Sequence, residues 1–229
     1  MNSAWETMVL VHNGCGHLTY APSPALLTTA DGFAAAQLTR TILSDTLIGM
    51  AHTYGEVLPP SFPDIFSSAG DPQQTVFIDA GSGYGALLAA AVSVYGCSHA
   101  IGVEKYKDKY LASLELVGQM PPALQQRVTV VLQDINDTDL MPLLESLSFQ
   151  TVLFFCNNVA FNSGTIHRLG VKVRSFLDEL QAADRKCIVI SMMPLTQLTT
   201  NKISTLALHT TWNKEEPHAT PVYSSFPLT

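Results

Sequence analysis

The run Val76-Phe77-Ile78-Asp79-Ala80-Gly81-Ser82-Gly83-Tyr84-Gly85 constrains this chain more than any other stretch. An apolar segment ends in an acid, glycines then recur at every second position, and an alanine-rich run from Ala86 to Val94 follows. A buried strand that turns sharply into a helix needs backbone conformations that side chains disfavour, and glycine supplies them. The missing side chains also let a ligand approach the backbone. A turn of this kind is the ligand cradle of doubly wound α/β folds.

Two cofactor classes compete for the cradle. Gly81, Gly83 and Ala86 satisfy the dinucleotide pattern G-x-G-x-x-G/A, and Glu104 closes the next apolar run, Ala100 to Val103, at about the distance that pattern asks for. Asp79 points the other way. A carboxylate at the strand end repels a pyrophosphate but suits a cationic sulfonium that carries an amino group, so S-adenosylmethionine is favoured, with Glu104 on its ribose hydroxyls. A dinucleotide-dependent oxidoreductase stays as the alternative class, though no Tyr-x-x-x-Lys or similar hydride-site pair accompanies the turn. A catalytically inactive interaction domain is a third reading, and failure to bind cofactor would mark it.

Composition narrows the rest. With 229 residues and 47% hydrophobic content, the chain can bury one large α/β core. A net charge of -7 with no Lys/Arg cluster is the wrong sign for independent nucleic-acid binding. Cys15, Cys97, Cys156 and Cys187 lie far apart, without a C-x-x-C pair, as expected of reduced thiols in an intracellular enzyme. Cys15 with His17 is too small a ligand set for a metal, and none is expected. Met1 to Leu10 lacks the features of a signal peptide, and the longest apolar stretch, Ala86 to Tyr95, is about half a membrane span, so no membrane association is expected.

The periodicities alternate along the chain. Asp31 to His52 has apolar residues at helical spacing, and a proline-rich link, Pro59 to Pro63, leads to a short helix over Asp64 to Ser68. Strands are predicted at Val76–Asp79, Ile101–Glu104, Val128–Leu132, Val152–Cys156 and Cys187–Ser191. Helices are predicted between them at Tyr84–Tyr95, Lys107–Gly118, Leu140–Leu147 and Thr165–Ala182. Alternation of this kind implies a parallel sheet with right-handed crossovers. The runs Thr205–His209 and Pro221–Phe226, flanking the turn-like Asn213–Pro217, predict a closing β-hairpin. Together these form the layout of the seven-stranded class I S-adenosylmethionine-dependent methyltransferase fold, a Rossmann-like doubly wound α/β sheet with a terminal hairpin. Residues 1–70 are expected to form a short helical segment and cofactor-covering loop, and 71–229 the methyltransferase domain.

Ligands of such a sheet lie at the carboxyl ends of its strands. After the third predicted strand, Asp134 can accept from an adenine amino group and Ile135 can cover the ring. Alternatively Asp134 caps the following segment. After the fourth comes Cys156-Asn157-Asn158-Val159-Ala160-Phe161. Two amides at a buried strand end are costly unless they bond to something specific, although a loop-forming Asn pair is the plainer alternative.

Thr53-Tyr54-Gly55-Glu56, Phe77 to Gly85, Gly102-Val103-Glu104-Lys105 and Asn157 to Phe161 stand in an order that resembles the Dot-one type (disruptor of telomeric silencing) histone H3 lysine methyltransferases. These are non-SET enzymes that methylate a lysine on the globular face of H3 in nucleosomes. The resemblance runs from about His52 to the end and includes Ser191-Met192-Met193-Pro194-Leu195, Thr211-Trp212 and Val222-Tyr223. It implies that Tyr54 and Glu56 cover the methionine end of the cofactor. It implies that Asp79, Gly81 and Gly83 hold the amino-acid part, that Glu104, with Lys105 beside it, holds the ribose, and that Asp134 and Ile135 hold the adenine. Asn157 and Phe161 would line a lysine channel, Asn157 also meeting the cofactor, with Tyr223 closing the channel. The chain departs from the family pattern at Ala86, where Gln is common, at Val159, where an aromatic is usual, and at Ile135, where Phe is usual. The resemblance further implies a nuclear protein acting on histone H3, with weak DNA contact in the absence of a basic extension. An enzyme of the same fold acting on a small molecule or a non-histone protein is the runner-up.

The chemistry asked of such a site is definite. Displacement at a sulfonium methyl needs a neutral amine, and on the order of one lysine in a thousand is neutral at pH 7. An apolar channel lined by Val159, Phe161 and Tyr223 would lower that pKa by desolvation, and alignment of the amine would supply much of the remaining rate.

Overall fold

A computed structural model describes residues 57, 59–210 and 216–226, together with strands β1 (Met8–His12), β2 (Leu18–Pro22) and β3 (Thr41–Ile42). These three strands form an antiparallel sheet in that order. Thr41 and Ile42 pair with Thr19 and Leu18, so the helix expected over Asp31 to His52 does not run through them. Both are β-branched residue types, which favour strand over helix. The remainder of that predicted helix lies outside the described residues.

The main sheet has seven strands: β4 (Thr75–Ala80), β5 (His99–Glu104), β6 (Val128–Leu132), β7 (Thr151–Cys156), β8 (Lys186–Ser191), β9 (Lys202–Leu208) and β10 (His218–Ser224). Their spatial order is β6-β5-β4-β7-β8-β10-β9. The first five are parallel, and β10 runs antiparallel to both β8 and β9. This is the class I methyltransferase arrangement. The central strands β4 and β7 are buried at every position, which explains why they read as unbroken apolar runs.

Two cores lie on opposite faces of this sheet. Helices α1 (Phe62–Ser67), α2 (Ala86–Ser93) and α3 (Lys107–Gly118) pack on one, against Phe77, Leu153 and Phe155. A one-turn helix, α4 (Pro122–Gln125), follows α3. Helix α5 (Ser163–Ala182) covers the other face, burying Leu169, Val173, Phe176, Leu177 and Leu180 at helical spacing against Ile78 and Phe154. Asn162 starts α5 by accepting the Thr165 N–H at 2.9 Å. Because Val57, Phe62, Ile65 and Phe66 share a core with Phe77 and Leu88, the described part of region 1–70 from Val57 onward packs with the sheet.

The helix predicted over Leu140–Leu147 is absent. Leu144 N–H bonds Met141 O at 2.9 Å and Leu147 N–H bonds Leu144 O at 3.0 Å, which are successive turns of three-residue span. Pro142 lacks an N–H, and the run is too short to offset the cost of helix nucleation. Its apolar residues still serve the core, where Leu140 and Leu144 pack beside Phe149.

Candidate active site at the carboxyl ends of the central strands

Successive strands leave β4 in opposite directions, β5 on one side and β7 on the other, so the sheet has its topological switch there. The glycine turn lies at this point. Gly81, Gly83 and Gly85 all have positive φ, at 90°, 55° and 83°. The N–H groups of Gly81 and Ser82 both bond Val103 O, at 2.8 and 3.2 Å, which ties the turn to β5. Gly85 then caps α2 in the left-handed conformation.

Beside the turn is a cavity of about 380 Å³, open solvent included. Gly81, Ser82 and Gly83 border it with Asp79 and Asn157, and Val57, Phe62, Leu87 and Phe155 supply apolar wall. Asp79 is 3% exposed. Its charge is felt by Cys156, whose thiol is pushed well above its ordinary value by burial first and by Asp79 second. A buried carboxylate facing a cavity attracts a cationic ligand group and repels phosphate. Phe161 comes near the turn, since a Cβ built on Gly81 would lie 3.9 Å from Phe161 Cζ, but it packs against the core under α5 and is not among the residues bordering the cavity.

Glu104 occupies the end of β5. Its Oε2 accepts Gly83 N–H at 2.9 Å and its Oε1 accepts Tyr106 N–H at 2.8 Å. Each oxygen keeps a second lone pair, so the carboxylate is oriented for ribose hydroxyls rather than used up. Lys105 is exposed, with its ammonium 4.9 Å from the Tyr106 ring centroid.

Other predicted site residues have different surroundings. Asp134 Oδ1 accepts from Asn136 N–H at 2.9 Å and Asn136 Nδ2 at 3.2 Å, forming a local turn after β6. Ile135 is 5% exposed and packs into the core with Leu140 and Leu144. Tyr223 is 2% exposed, and its hydroxyl accepts Leu195 N–H at 3.1 Å. Burial raises the Tyr223 phenol's pKa, with the Leu195 bond pulling the other way, so it holds its proton at neutral pH. Tyr223 and Ile135 are not among the residues bordering the cavity, and Val159 is exposed. Tyr54 and Glu56, with Cys15 and His17, lie outside the described residues.

The adjacent asparagines divide their labour. Asn157 borders the cavity, whereas Asn158 is fully buried and grips the backbone of Met193, accepting its N–H at 2.7 Å and donating to its carbonyl at 3.3 Å. Asn158 therefore clamps the loop after β8 to the loop after β7. Val57 and Phe62 were not legible as site residues. They come over the cavity because Val57 bridges Thr210 and the Ser61 hydroxyl accepts His209 N–H at 2.7 Å. These contacts join distant parts of the chain and leave no local pattern.

Among solved structures, the fold is similar to an RNA methyltransferase from Salinibacter ruber in complex with S-adenosyl-L-homocysteine, at 14% identity and a TM-score of 0.47, covering 74% of this chain and 91% of that one. It is also similar to a human methyltransferase 10 domain containing protein, at 13% identity and a TM-score of 0.49, covering 72% and 78%. No curated protein sequence matches. The family model described as histone methylation protein DOT1 matches residues 40–221, most of the chain and all of the main sheet through Pro221 of β10. The chain belongs to the DOT1 histone methylation protein family.

Proposed function

We propose that this protein is a histone lysine N-methyltransferase that uses S-adenosylmethionine and acts on a lysine of the globular face of histone H3 in nucleosomes. The observation that carries the reading is Asp79, a buried carboxylate beside a glycine turn whose missing side chains open the cavity, with Glu104 oriented at the end of the neighbouring strand. Family membership supports the histone substrate, and a nuclear location follows from that substrate. When bound, the cofactor supplies an electrophilic methyl group.

In this reading Asp79 receives the cofactor's amino end, Gly81 and Gly83 admit its amino-acid part, and Glu104 takes the ribose hydroxyls with Lys105 alongside. The Asp134–Ile135 loop meets the adenine, and Tyr54 and Glu56 precede Val57 in the covering segment. Asn157 orients polar groups at the transfer point without changing charge, and Phe161 excludes water from the incoming lysine, favouring its neutral form. No general base is required if the amine's proton leaves to water.

The second reading is a methyltransferase of a small molecule or a non-histone protein. Tyr223 favours it, because a hydroxyl engaged with Leu195 deep in the core is not shaped as the closing wall of a narrow lysine channel. Calorimetry tests the cofactor: micromolar-range binding of S-adenosylmethionine and none of NAD is expected, with Glu104→Ala losing about 1–3 kcal/mol. Tighter binding of NAD would sink the methyltransferase reading.

A further inference from the structure

We propose that Tyr223 is a positioning residue for methyl transfer: through Leu195 N–H its hydroxyl holds the segment Met192–Leu195 as the wall against which the methyl acceptor rests. The inference rests on the proposed function and gives Tyr223 a task that needs no contact with the acceptor.

The segment has no hydrogen-bond ladder of its own. Strand β8 ends at Ser191 and a 3-10 helix begins at Thr196. Between them, Met192 N–H bonds Cys156 O at 3.0 Å, Met193 N–H bonds Asn158 Oδ1 at 2.7 Å, and Leu195 N–H bonds the Tyr223 hydroxyl at 3.1 Å. Pro194 has no N–H to place. The Met193 carbonyl accepts the Ser191 hydroxyl at 2.8 Å and Asn158 Nδ2 at 3.3 Å. Neighbouring elements therefore set the segment's shape, and removing one acceptor loosens it.

Tyr223 reaches the segment from within the sheet. It lies opposite Val189 of β8 and shares the core under α5 with Val189, Leu195 and Leu198. Thr220, also on β10, donates to Met192 Sδ at 3.3 Å. Strand β10 thus grips both ends of the segment, and Asn158 grips its middle. Leu195 is fully buried, Met193 is half-buried and Pro194 is exposed, so the fixed end lies inside and the apex faces outward.

The apex stands beside the transfer point. Cys156 and Ser191 are register partners, so Met193 emerges one strand along from Asn157, which borders the cavity. Asn158 carries the link, because its side chain holds Met193 while its carbonyl accepts Phe161 N–H at 3.1 Å. With the cofactor over the ends of β5 and β4, in-line displacement brings the amine from the far side of the methyl, across the ends of β7 and β8. Met193 and Pro194 offer the apolar surface on that approach.

Tyr223→Phe keeps the ring and removes the acceptor oxygen. With tritiated S-adenosylmethionine and nucleosomes, KM for the nucleosome is expected to rise roughly tenfold while kcat stays within about threefold, as loss of one hydrogen bond supports. Calorimetry with S-adenosylhomocysteine should show affinity within about twofold of wild type, and exchange of the Leu195 amide hydrogen should accelerate. Pro194→Gly frees the exposed apex without touching the core, and it is expected to raise the same KM. A purely structural Tyr223 would lower Tm in Tyr223→Phe and leave KM and kcat of the folded enzyme unchanged. Wild-type KM in Tyr223→Phe, or in Pro194→Gly if Tyr223→Phe does not fold, would overturn the inference. So would a loss of S-adenosylhomocysteine affinity in Tyr223→Phe as large as the rise in KM. A wild-type protein that binds S-adenosylhomocysteine yet labels no nucleosome would instead overturn the histone reading, and this inference with it.

Discussion

Gly85→Ala tests how the ligand turn is held. Gly85 has φ of +83°, and an alanine there would lie under 3.0 Å from Ser113 Oγ, 3.2 Å from Ser113 Cβ and 3.6 Å from Ser113 Cα. The left-handed backbone costs about 1–2 kcal/mol for a residue with a side chain. Crowding adds about 1–3 kcal/mol, because Ser113 is fully buried in α3 and the helix itself must move. The sum is about 2–5 kcal/mol, or roughly 5–15 °C in Tm for a chain of this length. Gly70 is the control. It has φ of +85° with nothing within 4 Å, so Gly70→Ala should lose only the backbone part. Thermal or urea melts of Gly85→Ala, Ser113→Gly and the double variant would then show coupling of about 1–3 kcal/mol, the crowding share alone. Equal losses at Gly85 and Gly70, or no coupling with Ser113, would refute the reasoning.

Asn158→Ala should lower stability by about 1–3 kcal/mol in a urea melt, since it leaves the Met193 N–H without its partner in a partly buried place and leaves the Met193 carbonyl with the Ser191 hydroxyl alone; a loss under about 0.5 kcal/mol would show that the two loops are not clamped there. Stability should also fall on acidification from about pH 6.5. Burial, and then the charge of Arg127, lower the His99 pKa in the folded protein from its ordinary 6.5, so the unfolded chain takes up the proton first. Above the unfolded value both states are neutral and the dependence vanishes. His99→Asn should flatten this part of the pH profile, and an unchanged slope would assign it elsewhere.

What could be read from the residues was what local chemistry enforces. The five parallel strands end within a residue or two of their predicted limits because each is an apolar run bounded by polar or turn residues, as Thr75–Ala80 shows. Helix α3 begins and ends at Lys107 and Gly118 as its pattern predicts. Leu140–Leu147 misled because its apolar spacing fits a helix, yet Pro142 and its shortness decide otherwise. The apolar spacing predicts the start of α5 at Thr165, whereas the Asn162 cap puts it at Ser163. At the candidate site, Asp79, Gly81, Gly83 and Asn157 were legible because strand-end acids, alternating glycines and paired amides are local signals, and they do border one cavity. The burial of Tyr223 and Ile135 was not, since it depends on which face of the sheet each side chain meets. Neither was the bridge from Val57 to Thr210, which only the closed fold creates.

The most direct test of the central claim is methyl transfer itself. The wild-type chain and Asn157→Ala are incubated with tritiated S-adenosylmethionine and nucleosomes, and in parallel with short H3 tail peptides, and the label is located by mass spectrometry. The account predicts label on a lysine of the globular face of H3, little on tail peptides, a steep loss as salt rises, and none with Asn157→Ala despite an unchanged melting curve. Label confined to tail peptides or to another protein, or transfer at the wild-type rate by Asn157→Ala, would contradict it.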